Sequence, residues 1–168
     1  MSEKYYLAYG SNLSREQMAF RTPNAEIVGT AMLKGWRLLF RQYATIKKSD
    51  KYSTPVLVWK ISANDEKRLD RYEGFPKFYV KKNLKVSVTG LDGNDLGELK
   101  AMVYIMSAEA MKMRTPHSTP SSQYYSILHD GYNDFGFDKE ILKEALMENF
   151  KPESRPSHRG SQPTIALT

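Results

Sequence analysis

The chain contains no cysteine. That excludes a disulfide framework, a thiolate nucleophile and a cysteine-ligated zinc. No apolar run approaches the roughly 20 residues that cross a bilayer. The opening residues MSEKYYLAYG lack the apolar centre of a signal peptide, so a cytoplasmic protein without membrane contact is expected. Histidine is scarce: His117, His129 and His158 are scattered, each reads as a surface residue, and no metal site is expected. Internal repeats are absent. A basic stripe interleaved with aromatics, the mark of a nucleic-acid binder, is also missing. The net charge of +6 is spread out, with its densest spots at Lys47-Lys48 and Lys81-Lys82. Of the functional readings, nucleic-acid binding through the basic tail is the weakest.

What is present belongs to a globular protein. The 168 residues, 40% hydrophobic and 12% aromatic, suit one domain with one core. That domain is expected over residues 1–150. Residues 151–168, KPESRPSHRGSQPTIALT, read as a flexible basic tail, rich in proline and without periodicity.

Residues 4–9 alternate loosely and are rich in tyrosine, as a strand is. SREQ at 14–17 matches a capping box and predicts a short helix over 15–20. AEIVGTAMLKGWRLLFRQ predicts one or two strands broken by Gly29 and Gly35, and TPVLVWKI at 54–61 another, with Pro55 toward its start or an edge. SANDEKRLDRYEG at 62–74 is a helix with a Ser62–Asp65 capping box and Gly74 as terminator. FYVKKNLKVSV and LKAMVYIM form a hairpin around TGLDGNDLGE. A helix starts at PSSQYY, and DKEILKEALMENF is amphipathic, with Ile141, Leu142, Ala145 and Leu146 inward. Strands dominate and helices are inserted or appended. The fold class is α+β, a small mixed β-barrel or strongly curved sheet with peripheral helices.

Two stretches carry chemistry. In YLAYGSNL the first strand runs into Gly10-Ser11-Asn12 ahead of a helix start. Glycine admits close approach of a ligand or a positive φ, and a helix N-terminus offers unpaired N–H groups to an anion. An ordinary turn with its cap uses the same residues. In LDRYEGFPKFY, Glu73 sits at the C-terminal end of the predicted helix, the end that disfavours an anion. Tyr72, Phe75, Phe78 and Tyr79 crowd the same segment. A carboxyl group beside aromatic surface titrates high and can act as general base or acid near neutral pH. A solvated glutamate in a helix-ending turn is the plainer alternative.

Taken in order, YLAYGSNL, VWKISANDEKRLDRYEGFPKFY and PSSQYYSILHDGYNDFGF resemble the gamma-glutamylcyclotransferase-like family, from about residue 5 to about 137. The resemblance implies a small mixed barrel with helices around it. It also implies an enzyme that converts a small gamma-glutamyl substrate into 5-oxoproline and a free amine or amino acid, with no cofactor. By the same resemblance Tyr9, Gly10, Ser11, Asn12 and Leu13 form the substrate-binding loop, Glu73 is the general base and acid, and Tyr124 lines the pocket. The chain departs from the family pattern at Tyr43, which stands where a small residue is usual and narrows the pocket. It departs again at Val56, which replaces a frequent glycine. The alternative within the same fold is a non-catalytic small-molecule binding or regulatory module. Residues 91–119 carry no signature, and their methionines read as packing or lid residues.

Overall fold

A computed structural model describes residues 3–152; most of the tail, from residue 153 onward, lies outside the described residues. Five strands close into a barrel in the order β1-β3-β2-β4-β5. They are β1 (Lys4–Ala8), β2 (Glu26–Arg41), β3 (Tyr43–Ile61), β4 (Tyr79–Thr89) and β5 (Asp95–Met106). All neighbours are antiparallel except β1 and β5, which run parallel with Tyr6 opposite Met102, so the barrel is mixed. Among the described residues five α-helices surround it: α1 (Arg15–Arg21), α2 (Ala63–Glu73), α3 (Ala108–Lys112), α4 (Ser122–Phe135) and α5 (Lys139–Glu148). None of the described helices is long and apolar enough to cross a membrane.

The glycines of β2 bend the strand rather than break it. Register shifts fall between Ile27 and Gly29 and between Lys34 and Trp36, as expected where one extra residue is accommodated. At the first of these, a Cβ on Gly29 would lie 2.1 Å from the Thr89 carbonyl oxygen. Only glycine lets β4 approach closely enough to pair Thr30 with Thr89 and close the barrel. Pro55 falls in mid-strand by sequence, yet β1 joins β3 only from Leu57 onward, so it occupies a stretch bonded on one side. That is the edge position expected of it.

Local signals set the helices. Ser62 and Asp65 form the reciprocal capping box that opens α2, and Gly74 closes it with φ 67°. At α1 only half of the expected box forms. Ser14 accepts from the Gln17 amide at 3.2 Å, but the Gln17 side chain turns to Arg21 instead, because a guanidinium one turn away is the stronger donor. Ser121 caps α4 and Asp138 caps α5. In α5 Leu142 and Ala145 are buried and Ile141 and Leu146 pack partly against the core, as the amphipathic pattern requires. The fully buried set, including Leu7, Leu13, Phe40, Val56, Leu69 and Tyr132, joins the barrel interior to the inner faces of α2 and α4.

Candidate active site

Where β1 leaves the barrel, Tyr9 turns inward and its hydroxyl donates to the Tyr104 carbonyl at 2.7 Å. A single 3-10 turn follows over Ser11–Leu13. The Leu13 amide closes it onto the Gly10 carbonyl at 3.0 Å, and the Ser14 amide onto Ser11 at 3.1 Å. The amides of Ser11 and Asn12, at the head of the turn, therefore have no carbonyl partner within it. Gly10 has φ −118°, so positive φ is not its purpose. An added Cβ would sit 3.2 Å from the Tyr124 hydroxyl, and the close approach is what calls for glycine.

Asn12 is buried and its side chain is fully engaged. Its Nδ2 donates to the Tyr6 hydroxyl at 2.9 Å and its Oδ1 accepts from Arg21. Its carbonyl accepts from Trp59 Nε1 at 3.1 Å. Ser11 Oγ lies 3.3 Å from both the Tyr72 hydroxyl and Arg21 Nη1. The Arg21 guanidinium in turn stacks 3.5 Å from the centroid of the Tyr72 ring. This cluster ties the loop to the last turn of α2.

Glu73 is the final residue of α2 and is half-buried. Among the described residues its carboxylate has neither a hydrogen bond nor an ion pair. Burial pushes its pKa up to about 7, and the Arg21 guanidinium opposes the rise. A carboxyl group in that range exchanges a proton readily at neutral pH.

Glu73, Tyr9, Gly10, Ser11, Asn12 and Tyr124 line one cavity of about 480 Å³. Leu13 does not: it is fully buried, and a Cβ on Gly131 would lie 2.6 Å from its own, so it anchors the loop on α4. Phe75 leaves the aromatic cluster around Glu73 and covers Lys81, 4.3 Å from its ring. Tyr43 borders the cavity as expected and packs edge-on to Tyr124 at 5.4 Å. Val56 does not border it, being fully buried in the barrel. His117 and His129 are also outside the lining.

Tyr6, Tyr79, Tyr104 and Arg114 also line the cavity and were not assigned as site residues from sequence. The Tyr79 hydroxyl donates to the Ala44 carbonyl at 2.8 Å, and the Tyr124 hydroxyl accepts from the Ala44 amide at 3.1 Å. Burial pushes the phenols of Tyr9, Tyr79 and Tyr124 upward, which keeps them neutral hydrogen-bonding groups. The lining holds one carboxylate, Glu73, against the guanidiniums of Arg71 and Arg114, a balance suited to an anionic ligand.

Fold and site together define a small closed-barrel protein in which a half-buried carboxylate, unpaired among the described residues, shares one cavity with the Gly10–Asn12 turn. The model of the family described as "Gamma-glutamyl cyclotransferase, AIG2-like" matches residues 6–126, and the chain belongs to that family. The gamma-glutamylcyclotransferase of Mus musculus is 28% identical over 152 residues, which are 83% of this chain and 75% of that protein. The Bos taurus protein of the same name is 27% identical over 153 residues, with the same coverage. A solved structure titled gamma-glutamyl cyclotransferase superimposes with a TM-score of 0.69 at 26% identity, covering 86% of each chain.

Proposed function

We propose that this chain is a cofactor-independent gamma-glutamylcyclotransferase, which cyclises the gamma-glutamyl group of a small substrate to 5-oxoproline and releases an amine or amino acid. One observation carries the reading: Glu73, unpaired and titrating near pH 7, shares a cavity with the Gly10–Asn12 loop.

The substrate supplies its own nucleophile. Its α-amine attacks its γ-carbonyl carbon, and a five-membered ring closes. Holding the chain in the folded-back geometry removes much of the entropic barrier. In the resting substrate the amine is an ammonium ion, so Glu73 first accepts a proton and frees the nitrogen lone pair. The new C–N bond pushes electrons onto the carbonyl oxygen, where the amides of Ser11 and Asn12 act as donors to the developing charge or to the substrate's α-carboxylate. Glu73 still holds the first proton, so the ring nitrogen passes its second, surplus proton to solvent water. Glu73 delivers a proton to the departing nitrogen as the original C–N bond breaks and the carbonyl reforms. The neutral phenols of Tyr79 and Tyr124 fix Ala44 and with it the wall facing the loop.

The test is 5-oxoproline release from a panel of gamma-glutamyl dipeptides and gamma-glutamyl amines. The expected result is turnover without added metal, with kcat/KM rising along a limb centred near pH 7 as Glu73 loses its proton. Thermal stabilisation by the same compounds without product would overturn it in favour of a binding module.

A further inference from the structure

Arg71 and Arg114 are the cations that line the cavity, and neither joins the ion pairs found among the described residues. Lys4 and Lys81 pair with Glu66, and Arg37 pairs with Glu148. Arg114 has no ion pair among the described residues. Its guanidinium reaches the Ala110 carbonyl and Gln42 Oε1, each at 3.4 Å, the long limit of a hydrogen bond. It lies 5.7 Å from the Tyr43 ring centroid. Arg71, the other guanidinium of the lining, is exposed, whereas Arg114 is half-buried and its nearest partners are neutral. A partly desolvated guanidinium with weak neutral contacts has unspent capacity for a carboxylate.

The segment just after Arg114 is tied to the body of the protein. Asn149 Nδ2 donates to the Phe40 carbonyl at 2.9 Å, the Pro116 carbonyl at 2.8 Å and the Ser118 carbonyl at 3.3 Å. The Gln42 amide donates to the Ser118 carbonyl at 2.7 Å. A chain of contacts then places Arg114 relative to the loop. Arg21 touches Ser11 and Asn12; Gly10 abuts the Tyr124 hydroxyl; Tyr124 packs on Tyr43; and Tyr43 packs on Arg114. The rings of Tyr124 and Tyr43 therefore stand in sequence between Gly10 and Arg114. Tyr79 links the two charges of the wall: burial raises its phenol most, the Glu73 carboxylate adds to that, and the Arg114 guanidinium opposes it.

We propose that Arg114 is a specificity-determining residue that binds a carboxylate carried by the leaving group, so that the site favours gamma-glutamyl amino acids over gamma-glutamyl amines. The inference rests on the reading of the cavity as a gamma-glutamyl site. Such a substrate has a carboxylate on each side of the scissile amide. The loop amides serve one, and Arg114, reached past Tyr124 and Tyr43, serves the other. An amine leaving group would leave the guanidinium without an anion.

The experiment compares gamma-glutamyl-alanine with gamma-glutamyl-ethylamine, which differ only in that second carboxylate, using the wild-type protein, Arg114→Gln and Arg114→Lys. Wild type is expected to favour the alanine compound by about 10- to 100-fold in kcat/KM. Arg114→Gln should lose that preference through KM, the loss on the alanine compound exceeding any change on the ethylamine compound by about tenfold or more, with Arg114→Lys between the two. Equal losses on both compounds, or no wild-type preference, would overturn the assignment. Calorimetric Kd values for the same pairs give a readout independent of turnover. Selective binding lost in Arg114→Gln without any 5-oxoproline would sustain Arg114 and sink the catalytic reading instead.

Discussion

Two regions of one helix treat carboxylates in opposite ways. In the middle of α2, Glu66 and Asp70 face Lys81 on β4. Lys81 Nζ lies 2.6 Å from Glu66 and 2.9 Å from Asp70; Lys4 adds a contact to Glu66 at 2.7 Å, and the Tyr104 hydroxyl donates to Asp70 at 2.6 Å. Burial alone would raise Glu66, but the hydrogen bonds and charges of Lys4 and Lys81 hold it below its usual value. At the helix end, Glu73 has burial with no ion pair among the described residues, only the Arg21 charge opposing it, and its pKa is pushed up to about 7. Ionic partners, more than helix position, decide which carboxylate is spent on the fold and which stays available for proton transfer.

The comparison breaks most visibly at Glu73. Glu73→Gln preserves shape and removes the proton carrier, so kcat should fall by about 10²-fold or more while circular dichroism and Tm show an intact fold. Unchanged 5-oxoproline release would end the assignment of Glu73.

Asp70→Asn should do the reverse. It removes the charge that Lys81 and Tyr104 bind and should cost about 1–3 kcal/mol in urea unfolding, with a much smaller effect on kcat than Glu73→Gln. A loss of turnover without a loss of stability would show that the two regions are not separable in this way.

The smallest effect concerns pH. A raised carboxyl is a stability contribution present below its unfolded value of 4.5 and lost as pH rises through about 7. Glu73→Gln should therefore gain on wild type by a few degrees in Tm between pH 4 and pH 8. Glu66, held below its usual value, contributes in the opposite sense, and its support fades only in acid. Parallel Tm profiles for Glu73→Gln and wild type would mean that Glu73 is solvated in the folded protein.

Much of this arrangement was legible in the chain. The Ser62 box, the Gly74 stop and the Glu73 carboxyl are local signals, each readable within a few residues, and the gamma-glutamylcyclotransferase resemblance joined them to the GSN loop. The stretch 43–53 was not read as strand, because TIKKSDKYS lies outside the range of β1 and pairs only with β2; with much of it open to solvent, period-two alternation fades. Tyr104 and Arg114 were missed for a different reason. Tyr104 meets Tyr9 across 95 residues of sequence, through barrel closure, and no local pattern encodes that neighbour. Leu13 came with the loop through the resemblance; a one-turn loop has both an inner and an outer face, and Leu13 takes the inner one.

The parallel seam between β1 and β5 has a consequence for how the molecule is born. The strand that delivers the Gly10 loop finds its second neighbour at Met102, and the wall opposite that loop is finished only at Tyr124. A ribosome therefore releases the loop and the glutamate long before the residues that enclose them, and the pocket assembles as a late, long-range event.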